Sequence, residues 1–388
     1  VKKISDAASR LMGIQTSPGG SKYFQSNKKG EIFELKSELN SRSATKRKEA
    51  VKRVIASMTI GKDVSSLFPD VLKCIVTQDL ELKKLAYLYL MNYAHCNAEM
   101  VILAVNTFNR DAQDPNPIIR ALAIRTMGSL KTDRILDYLC DPLKLALHDS
   151  SAYVRKTAAL CVPKLWDLSR SIVEEFEFVS DLNELLKDTS PAVVTNAICA
   201  LRELERKSGG EIKLLIDSNT LFQLLSALND CTEWGQVSIL DVLSGYKAVS
   251  EEESLHILIH VCPRLNHANS AVVMSSVRVM LQNASLVDDE HREFYLRRTV
   301  SPLLSLLSSN YSKEIQFCTL RNIRCIVEQF SWLFVDGYAN FFCKFADSIY
   351  IRREKMEIMF LLCNSSNYSK IMHEFAEYCN ESNFETNL

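Results

Sequence analysis

The chain has 388 residues, 47% of them hydrophobic, with 46 Lys and Arg against 47 Asp and Glu, and only 11 Gly and 9 Pro. That length exceeds what one hydrophobic core normally supports, so the chain must divide or grow by repetition. The balanced charge excludes a global field that would draw the whole molecule to nucleic acid or membrane, and scarce Gly and Pro leave few turn signals for strands or Gly-rich phosphate loops.

Residues 1–21 read as a flexible basic arm: they are polar and hold no apolar stretch, so they do not form a signal peptide. The sequence does not begin with Met and is expected to be a trimmed or incomplete chain. No window approaches the roughly 18 apolar residues of a membrane span. Tyr23 and Phe24 are adjacent aromatics in a polar setting. Leaving both in water forfeits about 1.5 to 3 kcal/mol each, so they either staple the arm to the first helix or dock elsewhere. Positive charge then gathers at Lys28 and Lys29 and again at Lys46, Arg47, Lys48, Lys52 and Arg53. The second group spans one to two helical turns and can offer several cations to phosphates; the same spacing equally fits a solvated face. Aromatic side chains are not interleaved through it, which argues against nucleic acid as the partner.

From residue 22 to 388 the pattern is that of an all-α trunk built from one repeated unit. A turn with Asp or Asn leads into an apolar anchor and a helix carrying a small residue four positions later: Leu82 with Ala86, Ile119 with Ala123, Val154 with Ala158, Val193 with Ala197, Trp234 with Ser238 and Val272 with Ser276, with looser copies at Ile315 and Ile351. Successive anchors fall 35 to 43 residues apart, the period of HEAT and armadillo repeats. Ile119, Leu122, Ala123, Met127 and Leu130 make one helical stripe, and a small fourth residue lets neighbouring helices approach closely. Pro117 and Pro191 suit first helical positions, with Asp or Ser beside them as caps. A second helix is expected from Met100 to Phe108, with Val101, Ala104, Val105 and Phe108 as its core stripe and Ile102 as surplus apolar surface. One such pair cannot bury its stripe alone, so the units stack into a HEAT/armadillo-like α-solenoid whose extended faces suit a macromolecular binder.

The usual nucleotide-loop, nucleophile-elbow and His-Glu-x-x-His signatures are missing, so neither a catalytic residue nor a cofactor is assigned. The 12 Cys include no Cys-x-x-Cys pair and are expected to be buried free thiols. His260 and Cys262 sit two apart, which on a helix points them to different faces, so no metal site is assigned.

Several strings are more specific: Ser21-Lys22-Tyr23-Phe24, Lys28-Lys29-Gly30-Glu31-Ile32-Phe33-Glu34-Leu35-Lys36, Gly61-Lys62-Asp63-Val64-Ser65-Ser66-Leu67-Phe68-Pro69-Asp70-Val71 and Cys231-Thr232-Glu233-Trp234-Gly235-Gln236. With Asp114-Pro115-Asn116-Pro117 and Tyr153-Val154-Arg155-Lys156, they resemble the β large subunit of clathrin adaptor complexes over about residues 21 to 380. The resemblance implies a scaffold beside a second large chain, a medium chain and a small chain, peripheral on trans-Golgi or endosomal membrane or at coated pits. It implies phosphoinositide contact through Lys22, Lys28, Lys29, Lys46, Arg47, Lys52 and Arg53, although Ser43 and Ala44 stand where lysine is common. It further implies that Ile102 and Val105 meet an Arf-family GTPase, and that Tyr23 and Phe24 plug the small chain's dileucine cargo pocket. Clathrin contact would lie in hinge and appendage regions outside this sequence. A karyopherin-like transport receptor, also a HEAT solenoid, is the alternative.

Overall fold

The computed structural model describes residues 30–130, 132, 135–214, 216–308 and 312–380, and among these it contains helices and turns but no strand. The chain divides into two compact units at residues 215 and 216.

In the first unit the anchor-bearing helices are Leu80–Tyr93, Pro117–Met127, Ala152–Ala159 and Pro191–Lys207, each packed against the next in chain order. Leu82, Ile119, Val154 and Val193 are all buried, and Ala86, Ala123, Ala158 and Ala197 are fully so. Enlarging one of these alanines would overpack the helix contact at a cost of about 1 to 3 kcal/mol. Gly128 shows how close the approach is: a Cβ there would meet the Cβ and Sγ of Cys161 at 3.0 Å.

Local polar bonds set the helix starts. The Asp79 carboxylate accepts from the Glu81 and Leu82 N–H groups, and Asn116 accepts from Ile118 N–H at 3.0 Å ahead of Pro117. Ser190 makes no side-chain cap, contrary to expectation; the Asp188 carboxylate instead accepts from Ser190 N–H at 2.8 Å and shapes the turn. Arginines then clamp successive turns. Arg120 donates Nη1 to the Asp114 and Pro115 carbonyls and grips Asp149 through Nε and Nη2 at 2.8 and 2.9 Å. Arg155 repeats this on the Asp149 and Ser150 carbonyls and on Asp188 at 2.6 and 3.0 Å. Such bidentate, charge-assisted bonds fix geometry as well as energy. One repeat earlier, Lys83 follows the anchor Leu82 as these arginines follow theirs: Lys83 Nζ and Tyr87 Oη both donate to Asp111 Oδ2, at 2.6 and 2.5 Å, with Lys83 and Asp111 only 3% exposed.

The second unit stacks helices Ser218–Ala227, Glu233–Leu243, Glu251–Val261, Ser270–Ala284, Asp289–Leu306, Lys313–Phe330, Ile349–Leu362 and Tyr368–Asn380. Val272 and Ser276 are fully buried, as are Ile351 and Thr319, the latter four residues after half-buried Ile315. Trp234 overturns its expected place in the core, being 79% exposed. The buried face of that helix is Gly235, Gln236, Ile239, Leu240 and Leu243, one residue round from the Trp234–Ser238 row. A four-residue spacing recurs on every face of a helix, so it could not choose between adjacent ones. The cysteines are all free, but only Cys74, Cys140 and Cys161 are fully buried; Cys96, Cys318, Cys325, Cys363 and Cys379 are exposed. Cys96 lies in a 3₁₀ turn and Cys363 just past a helix end, outside any packed stripe.

Candidate membrane and partner interfaces

The basic segment lies on the helix Ala44–Thr59, which packs against the first described helix, Glu31–Leu39. Its first turn has no carboxylate and Ser43 gives no side-chain cap, so Lys46 and Arg47 stand at the positive end of the helix dipole. The cations then part company. Arg53 grips Glu38 at 2.8 and 3.0 Å and reaches Glu34 at 3.5 Å. Lys52 meets Glu81 at 2.5 Å, and Lys48 meets Asp79 and Glu81 at 2.8 and 2.6 Å. These bonds, Lys48 foremost, hold Asp79 and Glu81 below the usual carboxylate range. Arg47 donates Nη1 to the Ser41 and Arg42 carbonyls at 2.8 and 3.0 Å, the same grip on its own turn that Arg120 and Arg155 make. Lys46 is exposed and makes no ion pair among the described residues. Lys22, Lys28 and Lys29 lie outside the described residues, as do Tyr23 and Phe24.

The segment expected as one helix from Met100 to Phe108 is broken. Helix Ala98–Val101 passes into a 3₁₀ turn, Ile102–Ala104, and then helix Val105–Asp111. Its core stripe is as expected, with Val101, Ala104, Val105 and Phe108 all buried. Ile102 is 38% exposed, whereas Val105 is covered within the chain. The more open neighbour is Leu103, at 69%, which the periodicity did not single out. The tighter 3₁₀ turn rotates side chains by about 120° per residue, so it swings Leu103 outward between two helical segments.

His260 and Cys262 do not converge: the His260 ring stacks on His256, and Cys262 Sγ lies 3.5 Å from Arg298 Nη1. No group of three or more His, Cys, Asp or Glu among the described residues could hold a metal ion, and none of the described helices is long and apolar enough to cross a membrane. The features that remain are a divided basic face and scattered exposed apolar side chains on a helical stack.

Residues 27–386 match the family model described as the adaptin N terminal region. The chain belongs to the adaptin family. Over 93% of its length it is 48% identical to AP-1 complex subunit beta-1 of Mus musculus, spanning 38% of that protein. It is 50% identical over 94% of its length to AP-1 complex subunit beta of Dictyostelium discoideum, again 38% of that protein. Against AP-2 complex subunit beta of Schizosaccharomyces pombe it is 36% identical over 94% of its length and 54% of the relative. This adaptin-family chain thus spans between about two fifths and a half of these relatives. Its fold also matches, at a TM-score of 0.64 and 22% identity, a chain of a structure titled as a homology model of the full-length AP-3 complex in an intermediate open conformation, covering 99% of this chain and 66% of that one.

Proposed function

We propose that this adaptin-family chain is the β-type large subunit of a heterotetrameric clathrin-associated adaptor complex, a scaffold without chemistry of its own that acts in vesicle-mediated protein transport. The observation that carries the reading is identity of 48 to 50% to AP-1 β subunits over almost the whole chain. Its partners are then a second large chain, a medium chain and a small chain, and its place is peripheral, on trans-Golgi or endosomal membrane or at coated pits. Exposed large apolar side chains such as Leu103, Leu145, Trp234 and Phe360 are what a subunit offers to companions. Expressed alone, the chain is expected to aggregate, and co-expression with its medium chain should restore solubility. A soluble monomer without affinity for adaptor chains would contradict the proposal.

Within that reading, Ile102 with Leu103 is the surface for an Arf-family GTPase, and Tyr23 with Phe24 closes the cargo pocket of the small chain. Ile102→Asp is expected to abolish GTP-dependent recruitment at unchanged thermal stability. Contact with phosphoinositide-bearing membrane completes the proposal.

A further inference from the structure

The first described helix, Glu31–Leu39, has two unlike flanks. At about 100° per residue, Leu35 and Leu39 share its buried side, Glu31, Glu34 and Glu38 lie to one side of them, and Ile32, Lys36, Phe33 and Asn40 to the other. The acidic flank is fully engaged, with Glu34 and Glu38 on Arg53 and Glu31 on Lys62 at 2.9 Å. The opposite flank carries no carboxylate. It exposes Phe33 at 80% and Ile32 at 48%, and Lys36 is exposed beside them, its ammonium group without a hydrogen bond or ion pair among the described residues.

This flank continues into the loop at residues 40–43. Lys73 Nζ donates to Asn40 Oδ1 at 3.1 Å and to Asp70 Oδ1 at 3.0 Å, which places a second, largely exposed cation beside it. Exposed Arg42 supplies a third, its carbonyl held by Arg47 while its own guanidinium makes no ion pair among the described residues. Against these three cations stands one acid, Asp70, which is buried. An exposed aromatic within a turn of the unpaired Lys36, with Arg42 and the excess charge of Lys73 farther along the same flank, is the pairing that suits a bilayer interface, where the ring enters among the headgroups and the cations meet phosphates.

We infer that the membrane-contacting surface of this chain is the flank formed by Phe33, Ile32, Lys36, Arg42 and Lys73, and that its occupant is an anionic lipid bilayer. Lys52 and Arg53, together with Lys48, are engaged in holding helices to one another. This rests on the membrane contact proposed above but assigns it to different residues.

The test is flotation of the full chain, purified with its co-expressed partners, on phosphatidylcholine vesicles containing phosphatidylserine and a phosphoinositide. Lys36→Gln with Arg42→Gln and Lys73→Gln should weaken binding about 100-fold at low salt, at about fivefold per cation near the surface. Phe33→Ser, at a position too exposed to matter for folding, should weaken it about tenfold. Lys52→Gln with Arg53→Gln should leave binding within about threefold while lowering the melting temperature. Loss of binding in this last variant, with the first two unchanged, would overturn the inference and leave membrane contact standing. Binding unchanged in all three variants, or absent from the parent, would remove both.

Discussion

The turns before Val154 and Val193 in the first unit and before Val272 in the second are tied by different means. In the first, the residue after the anchor is Arg at positions 120 and 155, and each grips the Asp of the next turn, so that one carboxylate holds its own turn and the preceding anchor helix. In the second, Val273 follows the anchor Val272 and is buried, while the turn residue is Asn269. Asn269 still caps, accepting from Ala271 N–H at 2.9 Å, but its amide donates to Glu233 at 2.6 Å and no arginine clamp forms. Arg278 of that helix instead pairs with half-buried Asp241, and farther along the unit Arg321 and Arg324 reach the buried Glu354 at 3.3 and 3.2 Å. Replacing Asp by Asn at this position thus keeps the turn and gives up the ionic clamp there.

The largest effect is expected at the buried Lys83–Asp111 pair. Asp111→Ala should destabilise the first unit by about 3 to 5 kcal/mol, because it strands the Lys83 ammonium in a buried site. Asp111→Leu combined with Lys83→Met should recover most of that loss, and failure to recover would mean that packing, not stranded charge, is responsible. Hydrogen exchange can assign the loss to a unit.

A smaller effect is expected at the less buried arginine clamps. Arg155→Ala should cost the first unit about 2 kcal/mol by releasing a partly buried bidentate pair, whereas Arg278→Ala should stay within about 0.5 kcal/mol. Equal effects in the two units would end the distinction.

Acid should follow the same division. Burial would raise the carboxyls of Asp149 and Asp188, but the bonds from Arg120 and Arg155, together with those from turn N–H groups, outweigh it and hold both below the usual range. A carboxyl with a depressed folded pKa stabilises fully above its unfolded value, near 3.9, and loses that contribution as pH falls through the lower folded value. Melting temperature followed from pH 6 to pH 2 should therefore fall less steeply in Asp188→Asn than in the parent chain. An unchanged slope would show that the clamp is not what titrates. Smallest of all is Trp234→Ala, expected within about 0.5 kcal/mol because the ring is almost wholly in water. A large loss would restore that side chain to the core.

Much of this architecture was legible in the sequence because its cause is local. Apolar spacing with a small residue four positions on located the helices at Leu82, Ile119, Val154, Val193 and Val272, since the packed stripe itself dictates those residues. It failed at Trp234, where two adjacent faces offered similar spacing, and at residues 102–104, where a 3₁₀ turn broke the period. The clamps were not foreseen, because each joins residues 29 or 33 apart and only the stacking brings them together. The basic segment was visible as charge, but spacing alone could not show that Lys52 and Arg53 face Glu81, Glu34 and Glu38.

The most direct test of the account is affinity isolation of the tagged chain from its own cells, followed by quantitative mass spectrometry. Recovery of a second large adaptin with one medium and one small adaptor chain, in near-equal amounts, is the predicted result. Recovery of a Ran-type GTPase with assorted cargo and no adaptor chains would contradict it and favour a transport receptor built on the same repeat.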